Sequence, residues 1–390
     1  MFHHRNTGTS QVLALSLLLV FASASQPLFS DDSPGSLGGL FSGPIGFFGT
    51  ETLPVGDSIA SIRHEISDLE ALSDAQLAAI AAGGGQTSSI DQMQVTRFSF
   101  GYGVNEKFSI VASLPTISRN NIRQGSVAAP GGPGEGDEPC EDFGGYAYLL
   151  ETSDADLGSD DDSDYCLEND VIPGESTSDS LGDGGGGGAT LLQGDIGGVG
   201  DLQLAGIYRF RDQVNDGFAL ALIGGVQLPT GNTEVTAADG STLGLIDQPG
   251  SGSLDVTVGF ALSSDRGDYT VNGSALYTAM GDGDQNTTLG DRLDWGIGVS
   301  RTLVPLPGGG GWQIDGFLEV IGEKIGTATI DGVTDASTGG SIISVSPGIR
   351  ATLNNDWSVA LSVGIPIDDN PNGAGQETDL TTMLSISRPL

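Results

Sequence analysis

The chain has 390 residues, 63 of them glycine, and carries 14 Lys and Arg against 51 Asp and Glu, a formal net charge of −37. Binding to nucleic-acid phosphates needs clustered Lys and Arg, so this balance argues against nucleic acid as a partner. It also argues against attachment to the surface of an anionic membrane. After residue 30 no apolar run approaches the roughly 18–20 residues of a membrane helix, which excludes a helical membrane protein.

The first 24 residues are expected to be an export signal that is cleaved off. Arg5 supplies a short basic start, residues 12–21 form an apolar run too short to span a membrane, and Ala22-Ser23-Ala24 offers small residues for cleavage. Residues 25–56 would then form an N-terminal periplasmic segment.

The chain has two cysteines, Cys140 and Cys166, without the spacing of a CxxC motif. An exported bacterial chain folds in an oxidising compartment. The two cysteines are therefore candidates for a disulfide in an exposed loop rather than for a metal or redox site.

Twelve segments after residue 56 alternate with a period of two over about 10–13 residues each, which is typical of β-strands with one apolar face. In the sixth, Leu254, Val256 and Val258 share one face, while Asp255 and Thr257 share the other. The predicted strands are 57–67, 91–103, 106–118, 200–211, 217–228, 252–264, 268–280, 290–303, 312–325, 340–353, 357–367 and 377–388.

Two architectures use such strands. A soluble sandwich packs the apolar faces together, whereas a membrane barrel turns them to lipid and keeps the polar faces in its lumen. The strand length suits a tilted membrane span, and short connections such as 265–267 alternate strictly with long ones such as 229–251. The sequence therefore predicts an all-β protein: a transmembrane, antiparallel up-and-down β-barrel of about 12 strands over 57–390, with periplasmic termini and long extracellular loops.

The longest connection, 119–199, is predicted to be an acidic, glycine-rich extracellular loop. Its Asp160, Asp161 and Asp162 are weak candidates for binding Ca²⁺ or Mg²⁺, and a solvated run of charge is the plainer interpretation.

The first long loop holds the one clear helical signal, at 72–82. Ser73 and Gln76 are spaced as in a capping box, and the glycines at 83–85 would end the helix. At the barrel mouth it would either act as a gate or be a loop helix without that role.

Ten charged residues on the polar faces are candidates for the lumen wall, because a charge facing lipid at mid-depth costs several kcal/mol. Positive and negative charges together on the inner face would either create an electric field that orders a polar solute or form structural ion pairs. The sequence pattern is compatible with both. These candidates are Arg97, Asp201, Arg209, Asp255, Arg292, Asp294, Asp315, Glu319, Glu323 and Arg350.

Catalysis finds little support in the sequence. His64 is the one histidine of the mature chain, so a Ser-His-Asp site would have to use it, yet it shares the face of Ile62 and Ile66 in the first strand. The glycine run 184–188 lacks the Lys and Ser or Thr of a phosphate-binding loop. We expect neither an enzyme nor a cofactor.

Several stretches resemble a known family in their order and spacing. They are SLPTISRNNIRQG at 113–125, GDIGGVGDLQLAGIYRF at 194–210, GVQLPTGNT at 225–233, GSGSLDVTVGFALS at 250–263, LGDRLDWGIGVS at 289–300 and SVSPGIRATLNNDWSVALSVGIPI at 344–367. The chain resembles the outer-membrane "transporter" proteins grouped as the MetA-pathway of phenol degradation family, from about residue 50 to the end, apart from most of 126–193. The resemblance implies an outer-membrane barrel that passes small, often hydrophobic or aromatic, compounds.

Two features depart from that family. Its members usually end in an aromatic residue that the barrel assembly machinery reads, whereas this chain ends Ser387-Arg388-Pro389-Leu390. The long acidic insert stands where relatives often have a short His-rich segment, so no metal role is carried over.

These observations predict a channel in a Gram-negative outer membrane for the passive uptake of small molecules, including hydrophobic or aromatic ones. Its partners would be the membrane lipid and the small solute. The alternative is a non-transporting surface barrel whose acidic extracellular loops bind cations or a partner.

Overall fold

The fold is a closed antiparallel β-barrel of 12 strand positions. The structure, a computed structural model, describes residues 43–82, 88–126, 189–212, 216–238, 240–305, 311–354, 356–373 and 375–390. The first barrel strand pairs with the last, with Ile62 opposite Ile386, which closes the sheet. A closed sheet leaves no edge with unpaired backbone groups, as a membrane requires.

Neighbouring strands follow each other around the barrel in chain order. The strands of the wall are β1 (Ser58–Leu69), β3 (Gln92–Asn105), β4 (Phe108–Ser126), β5 and β6 (Ala189–Val199 and Leu202–Arg211, one strand position), β7 (Ala219–Leu228), β8 (Asp255–Asp265), β9 (Tyr269–Ala279), β11 (Arg292–Val304), β12 (Trp312–Ile325), β15 (Gly340–Leu353), β16 (Trp357–Pro371) and β17 (Thr378–Pro389). The short β2 (Ser88–Ser89) pairs with β4, and a small separate sheet holds β10 (Thr287–Thr288), β13 (Ala328–Ile330) and β14 (Val333–Asp335).

The alternation that predicts the strands also decides which face looks outward. In β8, Val256, Val258 and Phe260 are 47%, 57% and 51% exposed on the outside, whereas Asp255 and Thr257 are buried inside. Aliphatic and aromatic side chains form such an outer belt all around the wall, which is the surface that lipid covers.

Connections alternate between the two ends of the barrel. The described short ones, such as that between β8 and β9, lie at the end that we call the short-turn end. The long ones, such as that between β7 and β8, lie at the opposite, long-loop end. Among the described residues, no helix is both long and apolar enough to cross a membrane.

The hairpin of β4 and β5 reaches beyond the predicted strands. The sequence assigned all of 119–199 to a loop, but β4 continues to Ser126 and pairs with β5 from Thr116↔Val199 to Ser126↔Ala189. At about 3.3 Å per residue, the 19 residues of β4 extend over about 60 Å, more than a tilted span of a bilayer needs. An extension outside the bilayer needs no apolar outer face, which is why alternation did not reveal it.

The helix predicted at 72–82 is present as α1 (Asp74–Ala82) at the long-loop end. Its capping box forms as expected: the Ser73 amide donates to Gln76 Oε1 at 2.9 Å, and the Gln76 amide donates to Ser73 Oγ at 3.3 Å. Arg123 of β4 fixes the helix start through an ion pair of 2.6 Å with Asp74. The helix is therefore tied to the extended hairpin.

The N-terminal segment differs from the expectation of a periplasmic extension. Residues 43–53, which we call the plug, lie inside the barrel, and the chain then reaches the short-turn end, where the Gly56 amide donates to the Gly103 carbonyl at 2.8 Å. Residues 1–42, including the expected export signal, lie outside the described residues.

Candidate functional site

The plug fills the lumen near mid-barrel. Its Ile45, Phe47 and Phe48 are at most 3% exposed, a burial that an unpacked extension would not give them. Phe47 fits against the inner wall because two strand residues there are glycines. A Cβ on Gly296 of β11 would lie 2.3 Å from the Phe47 ring. A larger residue at position 296 would therefore leave no room for the Phe47 ring.

Phe48 packs against an apolar patch on the inner wall. The patch is made of inward side chains from the neighbouring strands β4 to β9 and from β1, so one sector of the lumen is apolar, although polar inner faces were expected. Its residues are Ile59, Val111, Ile207, Ala221, Ile223, Ala261 and Leu276. On the other side of the plug, Ile45 packs against Ala360 and Met383.

Glu319 of β12 makes the most direct polar contact with the plug. Its two carboxylate oxygens accept hydrogen bonds from the Ile45 and Gly46 amides, both at 2.9 Å. The side chain is buried, and hydrogen bonds to an ionised acceptor are stronger than neutral ones. This carboxylate thus satisfies two backbone donors that would otherwise be unpaired in the lumen.

Two arginines complete the attachment. Arg63 of β1 donates to the Ile45 carbonyl at 2.9 Å, and Arg350 of β15 donates to the Gly43 carbonyl. At the exit of the plug, the Leu53 amide donates to Ser109 Oγ of β4 at 2.8 Å. The plug is held by side chains from four strands spread around the barrel.

Among the described residues, three larger cavities lie along the barrel. One of about 590 Å³ is at the long-loop end, lined in part by Arg119, Leu245 and Gln376. A central one of about 150 Å³ is bounded by Gly46 and Phe47, and a third of about 810 Å³ at the short-turn end is bounded by Pro44 and Glu51. Because different plug residues line the second and third cavities, the plug lies between them.

The central cavity carries a cluster of opposite charges. Arg292 pairs with Asp294 at 3.1 Å and with Glu323 at 2.7 Å on β11 and β12. Arg97 of β3 lies cross-strand from Arg63, which pairs with Glu65 at 2.9 Å. These groups share the cavity with apolar neighbours, among them Phe47, Met93, Leu276 and Met383.

The predicted acidic residues Asp201 and Asp255 instead organise the chain at the long-loop end of the wall. Asp201 accepts hydrogen bonds from the Thr230, Gly231 and Ser251 amides at 2.7–2.8 Å. Asp255 accepts from Gln227 at 2.9 Å and from the Gly281 amide at 2.8 Å. Both carboxylates are fully buried, and the atoms that they contact belong to the fold.

The remaining two predicted lumen residues lie at the short-turn end. Asp315 accepts from Thr302 Oγ1 at 2.6 Å, and Arg209 donates to the Glu106 carbonyl at 3.3 Å. The ten candidates thus fall into three groups. Four lie in the charged cluster of the central cavity, two hold the plug, and four make hydrogen bonds within the wall and its connections at the two ends of the barrel.

Long-loop segments are pinned above the first cavity by buried polar side chains. Arg119 donates to the Asp247 carbonyl at 2.7 Å, and the amide of Ile90 donates to Gln376 Oε1 at 2.6 Å. Burial raises the pKa of the Asp247 carboxyl, while nearby Arg119 lowers it.

Other candidates fall elsewhere. Cys140, Cys166 and Asp160 to Asp162 lie outside the described residues. His64 is on the outer face, with Nδ1 at 2.9 Å from Thr96 Oγ1. Within the described part of the chain, no group of three His, Cys, Asp or Glu side chains is placed to hold a metal ion.

Sequence reasoning missed Arg63, Glu65 and the plug. Arg63 and Glu65 follow the same alternation as the other inward charges, so the pattern could have found them. The plug sequence Ile45-Gly46-Phe47-Phe48 carries no strand or helix periodicity, and the one available signal is an apolar run between glycines.

Comparison with known proteins places this barrel among outer-membrane proteins. The family model described as "Putative MetA-pathway of phenol degradation" matches residues 168–381, more than half of the chain. No curated protein sequence matches the chain.

Solved structures with a similar fold share little sequence with it. The COG4313 outer membrane channel from Pseudomonas putida F1 has 13% identity and a TM-score of 0.49, covering 87% of this chain and 98% of that one. The CymD monoaromatic hydrocarbon channel has 11% identity and a TM-score of 0.38, covering 87% and 89%. The P. putida toluene transporter TodX has 9% identity and a TM-score of 0.35, covering 87% and 91%.

Proposed function

We propose that this chain, which belongs to the family described as putative MetA-pathway of phenol degradation, is an outer-membrane channel for passive uptake of small hydrophobic or aromatic molecules. The observation that carries the proposal is a row of three cavities through a lipid-facing barrel, interrupted by a plug of the chain's own N-terminal segment.

The central cavity supports the proposed class of solute. Its volume of about 150 Å³ matches that of an engineered protein cavity that binds benzene. Phe47, Met93 and Leu276 offer apolar contact for a ring, and the charged side chains that line the same cavity, among them Arg97 and Asp294, give it a polar side that suits a polar substituent. A small ring with one polar group fits both.

In this proposal the long loops face the cell exterior and the short turns and both termini face the periplasm, as in other outer-membrane barrels. A solute enters the long-loop cavity, reaches the central cavity and passes to the short-turn cavity when the plug moves aside. No residue performs chemistry. The inward charges set which solutes pass, and the apolar patch on the inner wall offers hydrophobic solutes a surface.

Removing the plug tests the proposal. A variant without residues 43–50, refolded and inserted into planar bilayers, is expected to conduct ions far more than the full chain. Cells with the full chain are expected to take up small aromatic compounds faster than cells without it. Failure of the shortened variant to conduct, in barrels shown to be folded, would contradict a transport path through the lumen.

The alternative of a loop-binding surface barrel gives a different result for a second deletion. Removing 127–188 leaves β4 and β5 intact, since these strands end at Ser126 and begin at Ala189. A channel should retain uptake after this deletion. Loss of function with normal conductance would favour the acidic loop as the functional element.

A further inference from the structure

Three arginines at the short-turn end share one arrangement on the outside of the barrel. Each guanidinium lies over an aromatic ring and beside a carboxylate, and we call each set a rim triad. The ring contacts are Arg211 over Phe218 at 5.6 Å, Arg301 over Tyr269 at 5.1 Å and Arg388 over Trp357 at 5.0 Å. The ion pairs are Arg211–Asp216 at 3.2 Å, Arg301–Asp268 at 3.4 Å and Arg388–Asp356 at 3.6 Å.

Strand alternation puts the rim triads at the border of the lipid-facing belt. Arg388 follows Leu384 and Ile386 on the outer face of β17, and Arg301 follows Ile297 and Val299 on the outer face of β11. Other exposed aromatic side chains occupy the same end, among them Tyr102, Tyr208 and Trp312. Aromatic residues collect where a bilayer meets water, so the rim triads lie at the depth of lipid headgroups.

Both charges of each rim triad remain accessible. The arginine side chains are 48–50% exposed, and those of Asp216, Asp268 and Asp356 are 34%, 76% and 51% exposed. A guanidinium has five donors in a planar fork suited to phosphate, and its carboxylate partner occupies only part of them. An exposed ion pair contributes little stability alone, so stability is a weak explanation for three copies.

The charges select among lipids. Each rim triad is neutral overall, with a positive group for a phosphate and a negative group for an ammonium. A headgroup with both charges complements this pair better than one with a phosphate alone.

We propose that the rim triads bind the headgroups of zwitterionic phospholipids with a primary ammonium, of the ethanolamine type. The phosphate accepts from the arginine, and the ammonium donates to the aspartate. Three such sites, on β6, β11 and β17, would fix the depth of the barrel in the membrane. This inference goes beyond the proposed channel function and does not depend on it.

Trp357 offers a direct probe of one rim triad. The chain has three tryptophans, so Trp295→Phe with Trp312→Phe leaves Trp357 as the sole fluorophore of this kind. The full chain is refolded into phosphatidylcholine vesicles that contain ethanolamine, glycerol or choline phospholipids with acyl chains brominated near the headgroup. Quenching of Trp357 then reports which lipid occupies the site.

The ethanolamine lipid is expected to quench more than the choline lipid, with a relative binding constant of about 1.5 to 5, the range of exposed charge pairs. Asp356→Asn should bring that ratio to about 1, because it removes the carboxylate that accepts from the ammonium. Arg388→Gln removes the phosphate contact that both lipids share and should weaken the binding of both. Arg211→Gln, in a rim triad several strands away, is the matched control and should leave the ratio unchanged. Equal quenching by all three lipids would overturn the proposal, and so would stronger quenching by the glycerol lipid or an unchanged ratio in Asp356→Asn.

Discussion

Replacing Glu319 by glutamine should loosen the plug while leaving the barrel folded. The Glu319 carboxylate is buried and accepts from two plug amides at 2.9 Å. The amide of glutamine keeps one acceptor oxygen and turns an NH₂ group toward the second amide donor. The substitution nearly preserves side-chain volume, so packing against the plug is retained.

The size of the effect follows from hydrogen bonds to charged groups, which contribute about 1.5–3 kcal/mol each. Losing one such bond and leaving a buried donor unpaired should cost the seated plug about 2–4 kcal/mol. Since about 1.4 kcal/mol is a factor of ten, the ratio of seated to displaced plug should fall by about 30-fold to 700-fold.

Single-channel recording and amide exchange measure this shift together. The variant should conduct for a larger fraction of the time, and the Ile45 and Gly46 amides should exchange faster with deuterium. Glu323→Gln is the matched control for the amide exchange, because Glu323 pairs with Arg292 and not with the plug amides, and it should leave the exchange of these two amides unchanged. Wild-type conductance together with wild-type exchange of these two amides in Glu319→Gln would refute the role assigned to Glu319.

Three further predictions address other parts of the chain. Gly296→Ala should displace Phe47 and raise conductance, because its Cβ would lie 2.3 Å from the ring. Gly224→Ala is the control and should conduct like the wild type, because there is open space around its Cβ. Equal conductance of the two variants would contradict the close fit of Phe47 against Gly296. Asp201→Asn should lower stability by about 2–4 kcal/mol in urea unfolding, because its carboxylate accepts from three backbone amides; an unchanged midpoint would argue against its structural role. Burial, with Asp369, Glu70 and Asp379 nearby, raises the pKa of Glu377 to about 7. The folded state therefore favours the protonated carboxyl of Glu377. The free energy of unfolding that this preference contributes is fully present below the pKa of about 4.5 in the unfolded chain, and it is lost as the pH rises through about 7. Glu377→Gln should consequently unfold at higher urea than the wild type at pH 8 but not at pH 4, and a difference independent of pH would contradict the assignment.

Local alternation in the sequence was enough to predict the barrel. A strand in lipid must turn every second side chain to hydrocarbon, so the pattern of Val256, Val258 and Phe260 carries the inside–outside decision within a single segment. The same rule placed Arg292 and Glu319 on the inner face, and the spacing of Ser73 and Gln76 predicted the start of α1.

Tertiary structure alone decided what the inward residues do. Glu319 contacts the amide of Ile45 at a separation of 274 residues, and no local pattern links the two positions. Asp201 and Glu319 are both inward acids in the sequence, yet one organises a loop and the other holds the plug. The reason is physical: lipid imposes its demand on each strand separately, whereas the lumen and the rim are shaped by side chains that closure of the barrel brings together from distant strands.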